Sequence, residues 1–340
     1  MITVIGEALI DLVPTPDSTT LRAVPGGTAL NVAVGAARLG HPTALMARLS
    51  SDYFGQILRR HAARNGVDLG AAAEADEPTT LAAATPAATP GAASRTRARL
   101  YLQGTADWQW SAAELARIPV ATTILHLGSL ACCVAPGAAR ILKAAAIQRR
   151  NGALVCLDPD VCPDVLGTPA RGRLLVERMV MSADVVKAST EDIAWLYPGR
   201  ALEDAAAHWL RLGPELVVIT CGGDGAMALR GTRTVLHRPA YPARVVDTSG
   251  AGDAFTAALL GGLGQLSQAS AGLRALSGQD LARLLDICAV AAGLTCERTG
   301  TDLPTRTELR HALRSHSGAE IVCRPRILAS ASGPCLLTEH

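Results

Sequence analysis

Short apolar runs alternate with segments of helical periodicity along most of the chain. The apolar runs have the length of strands, and several are apolar throughout, as in strands buried on both faces of a parallel sheet. They are Ile2–Ile5, Ala44–Leu49, Thr123–Leu127, Leu154–Leu157, Val185–Lys187 and Leu216–Thr220. The segments of helical periodicity between them are Ala29–Leu39, Phe54–Asn65, Ala138–Arg149, Arg171–Met181 and Ala205–Leu212. The alternation predicts an α/β fold with a doubly wound, mostly parallel sheet flanked by helices.

Residues 72–105 interrupt this alternation. Two β-type runs, Thr79–Thr85 and Ser94–Leu102, flank the turn signal Pro90-Gly91. Leu21–Val24 has the composition of a further strand. We therefore predict a β-hairpin with one solvent-exposed face, to which this strand could be added. A surface hairpin without a functional role is the alternative interpretation.

The C-terminal third is predicted to be mostly helical, with helices at Ala254–Gly264 and Gln279–Cys296. Residues 316–340 show no periodicity, which indicates an appended or disordered tail after a single domain of residues 1–315. Of the 340 residues, 49% are apolar but only 3% are aromatic, so the core must consist mainly of Ala, Val and Leu.

The charge and cysteine content exclude several classes of protein. A formal net charge of +2 with interspersed acids and bases argues against nucleic acid as a partner. Two uncharged runs, Ile118–Ala139 and Ala254–Leu273, approach the length of a membrane span, but polar residues and turn signals interrupt them. They predict buried elements and no membrane partner. Nine cysteines without metal-binding spacing, and no cation before Arg22, predict a cytoplasmic protein without a signal peptide.

The stretch Asp247-Thr248-Ser249-Gly250-Ala251-Gly252-Asp253 carries the strongest chemical signal. Small residues leave the backbone accessible, and the apolar run Ala254–Leu260 then predicts the start of a helix. A helix start presents unpaired N–H groups and partial positive charge, and it commonly binds phosphate. A carboxylate at such a site is suited to accept a proton from an attacking hydroxyl. The alternative is that Asp253 only caps the helix.

The same stretch resembles the C-terminal signature of the ribokinase-like (PfkB) sugar and nucleoside kinases. The segment Gly26-Gly27-Thr28-Ala29-Leu30-Asn31-Val32-Ala33, closed by Gly40, resembles the N-terminal signature of that family. The resemblance extends from about Met1 to about Ser315. It implies a ribokinase-like fold, with a small β-sheet lid built from strands within 12–25 and 72–105. It also implies transfer of the γ-phosphate of ATP to a primary hydroxyl of a small sugar.

The resemblance also assigns roles to individual residues. Asp253 is implied as the catalytic base, and the signature backbone forms an anion hole from Gly250, Ala251 and Gly252. The residues implied to bind the sugar are Asp11, Gly26, Gly27 and Asn31. Those implied to bind the nucleotide are Lys187, Ser189, Thr220, Gly222 and Gly225. The chain lacks a Gly-x4-Gly-Lys-Ser/Thr loop, which excludes a P-loop enzyme.

Two carboxylates are implied to support cations. Asp247 would hold a monovalent cation such as K⁺ with carbonyls near Cys296–Gly300, or else it would cap the turn. Asp192 stands where the family often has Glu and would support Mg²⁺ through water, while Ser189 replaces the family's Asn. Cys162 replaces the Arg of a family motif, and this departure leaves nucleotide and substrate preference open.

Three less specific segments, Gly6–Val13, Gly104–Trp108 and Leu125–Leu130, resemble the fructokinase branch. They favour phosphorylation of fructose to fructose 6-phosphate. The alternatives are a ribokinase, a 2-keto-3-deoxygluconate kinase or a non-catalytic sugar-binding relative. For the sugar acid, a carboxylate partner would come from the lid, at Arg95, Arg97 or Arg99. The family also implies a homodimer that forms through the lid.

Overall fold

The computed structural model describes residues 1–15, 20–84, 98–128, 130–231, 234–269, 273 and 276–316. Its strands are β1 (Ile2–Ile5), β2 (Leu9–Pro14), β3 (Leu21–Gly26), β4 (Thr43–Met46), β5 (Arg48–Ser50), β6 (Ala73–Ala75), β7 (Leu81–Ala84), β8 (Ala98–Tyr101), β9 (Ile124–Leu127), β10 (Leu154–Leu157), β11 (Val185–Ser189), β12 (Leu216–Thr220), β13 (Ala226–Arg230) and β14 (Thr234–Arg238).

The helices occupy the segments between these strands and most of the C-terminal part. They are α1 (Thr28–Arg38), α2 (Tyr53–Arg64), α3 (Ala112–Leu115), α4 (Gly137–Arg150), α5 (Pro163–Leu166), α6 (Pro169–Val180), α7 (Thr190–Leu196), α8 (Leu202–Leu212), α9 (Ala251–Ala269), α10 (Gly278–Cys296) and α11 (Arg306–His316).

Eight strands form the main sheet in the order β14-β13-β12-β11-β10-β9-β1-β4. All neighbours from β12 to β4 pair in parallel, and β13 and β14 add an antiparallel edge. Side chains from α1, α9 and α10 fill the core on one face. Those from α4, α6 and α8 fill the core on the other. The predicted doubly wound α/β fold is therefore confirmed.

The second sheet has the order β3-β2-β7-β8 and corresponds to the predicted small β-sheet. We call it the lid sheet. It begins at Leu9, earlier than predicted, because β2 pairs with β3 along its whole length from Leu9 opposite Gly26. Thr85, the Pro90-Gly91 turn, Arg95, Arg97 and residues 317–340 lie outside the described residues. The homodimer through the lid and the domain boundary stay predictions.

The predicted strand Ala44–Leu49 is two strands in the structure. β4 belongs to the main sheet, whereas β5 pairs with β6 in a separate two-stranded sheet. Arg48 explains why the predicted strand is divided. Its guanidinium forms ion pairs with Glu77 at 3.2 Å and Glu114 at 2.9 Å, and these partners lie outside the apolar main sheet. β13 and β14 were not predicted. The Ala-Met-Ala-Leu sequence of β13 lacks the β-branched residues that indicate strands.

Much of each uncharged run contributes to the core of the domain. Ile118–Ala139 contains the buried strand β9, between β10 and β1 in the main sheet, and Ala254–Leu273 overlaps α9, whose apolar residues belong to the core. Within the described part of the chain, no helix is long and apolar enough to cross a membrane. The seven cysteines described there are free thiols.

Candidate active site

The candidate anion hole is the first turn of α9. The amide of Ala254 donates to the carbonyl of Gly250 at 2.8 Å, which makes Gly250 the residue before the helix. The amides of Gly252 and Asp253 therefore lie in the first turn, where an α-helix supplies no acceptor for them. The amide of Ala251 instead donates to the carbonyl of Thr248 at 3.2 Å. The structure thus leaves the amides of Gly252 and Asp253 available to an anion, and the anion hole expected from Gly250, Ala251 and Gly252 stays a prediction.

Asp253 contacts a residue of the N-terminal signature. The side-chain amide of Asn31 donates to Oδ2 of Asp253 at 2.9 Å, across a separation of 222 residues. Asn31 is buried in the first turn of α1. This helix begins after Gly27, which has φ 100° and would place a Cβ only 2.8 Å from the carbonyl oxygen of Glu7. The backbone conformation of Gly27 therefore determines where α1 begins, and this start of the helix places Asn31 beside Asp253.

The carboxyl group of Asp253 has a strongly perturbed pKa. Burial raises this pKa well above its ordinary value, and the nearby carboxylates of Asp160 and Asp158 raise it further. The hydrogen bond from Asn31 and the positive charge of Lys187 act in the opposite direction. A carboxyl group in this environment holds a proton more tightly than an exposed one and returns it less readily to water. That property suits a group that accepts a proton during a reaction.

Lys187 lies directly below the anion hole. A Cβ on Gly252 would lie 3.3 Å from its Nζ. The ammonium is buried and pairs with Oδ2 of Asp158 at 2.8 Å, and the hydroxyl of Thr256 donates to the same oxygen at 3.0 Å. Thr256 also donates to the carbonyl of Gly252 at 2.9 Å. Burial alone would lower the pKa of Lys187, but its carboxylate neighbours, Asp158 first, outweigh burial and raise it.

Asp158 and Asp160 belong to the family motif in which Cys162 replaces Arg, but sequence reasoning assigned neither of them a role of its own. Asp158 directly follows β10, and its position at the carboxyl end of a parallel strand was a second signal. Asp160 has a φ of 33°, unusual for a non-glycine residue, and its Oδ2 accepts a hydrogen bond from Thr28 at 2.8 Å. No pattern in the sequence indicates that conformation. Both carboxylates lie close enough to Asp253 to raise its pKa.

The candidate sugar-binding residues Asp11 and Gly26 are neighbours on β2 and β3. A Cβ on Gly26 would overlap the carboxylate of Asp11, so the glycine makes room for that side chain. Burial raises the pKa of Asp11 to about 6. The structure therefore places Asp11 and Gly26 at the base of the lid sheet and Gly27 and Asn31 at the adjoining start of α1.

The candidate nucleotide-binding residues lie at the carboxyl ends of β11 and β12. Ser189 pairs with Thr220 in the sheet, next to Lys187. Gly222 opens a short turn that ends at Gly225, which has φ 97° and whose Cβ position is blocked by the carbonyl of Arg238. The structure thus brings all five residues to the sheet edge that also carries the anion hole.

The structure gives Asp192 a local role in its helix. Ser189 precedes α7, its hydroxyl accepts from the amide of Asp192 at 3.1 Å, and its amide donates to Oδ2 of Asp192 at 2.8 Å. This reciprocal pair is a capping box. Oδ1 of Asp192 accepts the amide of Val161 at 2.9 Å, which ties α7 to the segment after Asp160.

Asp247 lies against the loop that was expected to accompany it. Its Oδ1 accepts the amide of Ser249 at 2.9 Å and its Oδ2 accepts the amide of Gly300 at 2.8 Å. Burial alone would raise its pKa, but these hydrogen bonds outweigh burial and lower it. These amide contacts fit the turn-capping alternative, and the monovalent-cation role of Asp247 stays a prediction. In the described part of the chain, no cluster of His, Cys, Asp and Glu has the composition of a metal site.

His126 was not singled out from the sequence, apart from its place in a fructokinase-like segment. It is buried in β9 next to Lys187, and both ring nitrogens lack a hydrogen-bond partner among the described residues. Burial first, and then the charge of Lys187, lower its pKa to about 3. The imidazole is therefore neutral at any physiological pH.

Comparison with known proteins identifies the family. The profile of the pfkB family carbohydrate kinases matches residues 1–308. The chain belongs to the pfkB family. This kinase is 32% identical to a fructokinase of Klebsiella pneumoniae over 322 residues, which cover 91% of the chain and 98% of the relative. It is also 32% identical to a fructokinase of Rhizobium leguminosarum bv. trifolii over 268 residues, covering 77% of the chain and 79% of the relative.

Two solved structures show the same architecture. The fructokinase of Xylella fastidiosa with bound ATP has a TM-score of 0.82 at 24% identity, covering 93% of this chain and 98% of that one. The aminoimidazole riboside kinase of Salmonella enterica, complexed with aminoimidazole riboside and an ATP analog, has a TM-score of 0.78 at 25% identity, covering 92% and 99%. The predicted ribokinase-like fold is confirmed. The pfkB kinase is a phosphotransferase that acts on a sugar hydroxyl.

The pH dependence of this kinase tests the environment of Asp253. If Asp253 is the catalytic base, it must be ionised, and its raised pKa means that it ionises only at higher pH than an exposed carboxyl group. The value of kcat should therefore increase with pH over the acidic part of the pH profile. Asn31→Ala removes the hydrogen bond that opposes the shift, and the rise should then occur at higher pH. The measurement is kcat against pH at saturating substrates, with the exposed Asn151→Ala as control. An unchanged profile in Asn31→Ala would contradict the assignment.

Proposed function

We propose that this kinase phosphorylates fructose, with ATP as donor and fructose 6-phosphate as product. The observation that carries the proposal is the contact between Asn31 and Asp253, which brings a candidate sugar-binding residue to a candidate base at the anion hole. The fructokinases that are 32% identical over most of the chain support fructose as the acceptor. The Salmonella kinase complexed with aminoimidazole riboside and an ATP analog supports a protein that binds both a sugar-containing acceptor and ATP.

The proposed reaction is an in-line phosphoryl transfer. Asn31 and Asp11 bind sugar hydroxyls and direct the primary hydroxyl toward the anion hole. The proton of that hydroxyl passes to a carboxylate oxygen of Asp253 as the hydroxyl oxygen bonds to the γ-phosphorus of ATP. The bond from that phosphorus to the oxygen shared with the β-phosphate breaks, and ADP leaves with the electron pair.

Fixed positive groups stabilise the charge that develops on the transferred phosphoryl group. The amides of Gly252 and Asp253 point out of the first turn of α9, and the Lys187 ammonium lies beneath them. The rest of ATP extends toward Ser189, Thr220 and the glycine turn, whose open backbone suits a nucleotide. These positions support ATP binding at the ends of β11 and β12.

We propose that Asp192 supports magnesium only through the water shell of the metal. Its oxygens already accept hydrogen bonds from the amides of Ser189 and Val161 and from the hydroxyl of Ser189 at 2.7 Å, which disfavours direct ligation. Magnesium that arrives with the nucleotide keeps several waters, so a fixed carboxylate nearby fits it. Bound magnesium would neutralise charge on the donor phosphates.

Potassium should raise the activity if Asp247 supports a monovalent cation behind the anion hole. Asp247 joins the signature loop to Gly300, so an ion between them would fix the loop that carries Gly250. The test is a potassium titration at constant ionic strength, with sodium as replacement ion. We expect activation in the wild type and none in Asp247→Ala. A flat response in the wild type would leave Asp247 as a turn cap.

Fructose should have a kcat/KM at least about tenfold higher than ribose or 2-keto-3-deoxygluconate, a margin that corresponds to about 1.4 kcal/mol. The measurement is ADP release over a panel of sugars. Arg99, the described candidate for the carboxylate of the sugar acid, is exposed and lies opposite Ala83 and Leu12, on the other face of the lid sheet from Asp11.

Arg99→Ala should therefore leave the ratio between fructose and the sugar acid unchanged. A higher kcat/KM for either competitor would refute fructose as the acceptor. Sugar binding without ADP release for every sugar would instead favour the non-catalytic alternative.

A further inference from the structure

After β8 of the lid sheet the chain returns to the main domain through a short helical turn, Ala106–Trp108, which we call the hinge turn. The amide of Ala106 donates to the carbonyl of Pro78, just before β7, at 3.0 Å. Arg48 donates to the carbonyl of Ala106 at 2.9 Å. The hinge turn is therefore bonded both to the entry of the lid and to β5.

A chain of hydroxyl contacts connects the hinge turn to the lid strands. The hydroxyl of Thr80 donates to Oγ1 of Thr105 at 2.7 Å, and the indole of Trp108 donates to the same oxygen at 2.9 Å. The carbonyl of Thr80 accepts the amide of Ile10 in β2 at 3.1 Å. Both threonines and Trp108 are buried. A displacement of the hinge turn would therefore be transmitted directly to β2 and β7.

Asp107, in the middle of the hinge turn, reaches the floor of the candidate sugar site. Its Oδ1 accepts the amide of Ala8 at 3.0 Å. Ala8 follows Glu7, whose carbonyl lies against Gly27, and it precedes β2, which carries Asp11. The side chain of Asp107 is 1% exposed, and its Oδ2 has no hydrogen-bond partner among the described residues.

We propose that Asp107 is a positioning residue for the sugar: through its hydrogen bond with the amide of Ala8 it ties the loop before β2 to the hinge turn. This inference rests on the proposed sugar site at Asp11, Gly27 and Asn31. Asp107 acts through the backbone of Ala8, so it should affect sugar affinity more than the chemical step. It is therefore distinct from Asp253, which touches the reacting atoms.

The electrostatic surroundings support a neutral Asp107. A buried carboxylate oxygen without a partner is costly when it is charged. Burial raises the pKa of Asp107 to about 7, and the carboxylate of Glu7 raises it further. Hydrogen bonds from Thr80 and Ala8, and the more distant charge of Arg48, oppose the shift.

The charged groups around Asp107 come from several elements. Glu7, in the loop after β1, is itself buried, and burial raises its pKa. Arg48, on β5, is already engaged by Glu77 and Glu114, so it does not neutralise Asp107 fully.

The sign of the pH effect follows from the raised pKa. In the unfolded chain Asp107 ionises near its ordinary value of 3.8, whereas in the folded protein it ionises near 7. Its stabilising contribution is therefore complete below the lower value and declines as pH rises through the higher one. Between the two values the opened loop, in which Asp107 is hydrated and ionised, gains stability relative to the closed one, so the tie between the hinge turn and the loop weakens up to about pH 7 and changes little above it. The sugar KM should rise over the same interval.

The experiment measures kcat and KM between about pH 5.5 and 8.5, a window that spans the titration of Asp107. The sugar is whichever acceptor has the highest kcat/KM in the panel. Wild type is compared with Asp107→Asn, Asp107→Ala and the control Asp76→Asn, which makes the same charge change at an exposed site nearby. We expect the wild-type KM to rise about tenfold across the window, because loosening a buried hydrogen bond costs about that much.

Asp107→Asn keeps an acceptor for Ala8 but cannot ionise, so its KM should stay within about twofold across the window, with a near-normal kcat. Asp107→Ala should raise KM about tenfold at every pH. Asp76→Asn should follow the wild type. An Asp107→Asn profile that rises like the wild type would refute the proposal, as would an Asp107→Ala enzyme with lowered stability but unchanged KM.

A second measurement does not depend on sugar turnover or on the alanine variant. Hydrogen exchange at the amide of Ala8 should accelerate between about pH 5.5 and pH 7 by more than the intrinsic effect of pH in the wild type, but not in Asp107→Asn. Equal acceleration in both proteins would refute the role of Asp107. A wild type that phosphorylates no sugar would refute the proposed function, while exchange at Ala8 would still decide the role of Asp107.

Discussion

Replacement of Asp253 by Asn is expected to lower kcat by about 10²–10⁴, the range typical of removing a general base. The substitution keeps the size of the side chain and leaves an amide oxygen that can still accept the hydrogen bond from Asn31. It removes the atom that takes the proton from the sugar hydroxyl. The KM for the sugar should therefore change little.

The measurement is steady-state ADP release at saturating sugar and ATP. Asp204→Asn, at an exposed position in α8, makes the same chemical change away from the site and should behave as wild type. A variant at Asp253 that retains near-normal kcat would show that the carboxylate only caps α9. A rise in KM with unchanged kcat would assign Asp253 to sugar binding alone.

Replacement of Lys187 by Met is expected to lower the free energy of unfolding by about 3–5 kcal/mol, the cost of removing one partner of a buried ion pair. Asp158 would keep only the hydroxyl of Thr256 on Oδ2, and its Oδ1 already lacks a partner among the described residues. The charge would then be buried without compensation. The measurement is chemical denaturation of the two proteins under identical conditions.

The double variant Lys187→Met with Asp158→Asn separates stability from catalysis. The introduced asparagine side chain would be neutral and could still accept from Thr256, so much of the lost stability should return. The activity should not return, because the positive charge beneath Gly252 is still missing. A double variant that regains both stability and activity would show that Lys187 has only a structural role. A single variant within about 1 kcal/mol of wild type would contradict the buried pair.

Local sequence patterns predicted many elements well. Three strands have the predicted first and last residues, because their apolar runs end at polar or turn residues: Ile2–Ile5, Leu154–Leu157 and Leu216–Thr220. The start of α9 near Asp253 followed from small residues before an apolar run. The antiparallel strands β13 and β14 were missed: β13 lacks β-branched residues, and β14 is a five-residue segment with only two apolar residues. The division of Ala44–Leu49 depended on the distant partners of Arg48.

The candidate site was predictable where function is tied to a motif. Asp253, Asn31 and the glycines of the two signatures are recognisable one by one, and each signature also predicts a helix start. Asp158, Asp160 and Asp107 lie in less specific family-like segments, which assigned them no role. Their importance depends on burial and on partners that are far away in the chain.

The sequence alone was sufficient for the fold class, the family and the candidate base, since these depend on local periodicity and on short contiguous motifs. The remaining features required the packed chain. Sheet register places Arg99 and Asp11 on opposite faces of the lid sheet, because side chains alternate along a strand. Folding likewise brings Asn31 to Asp253, Lys187 to Asp158 and Asp107 to Ala8. Such contacts depend on which long-range surfaces pack together and how well they exclude water, and no short stretch of sequence contains that information.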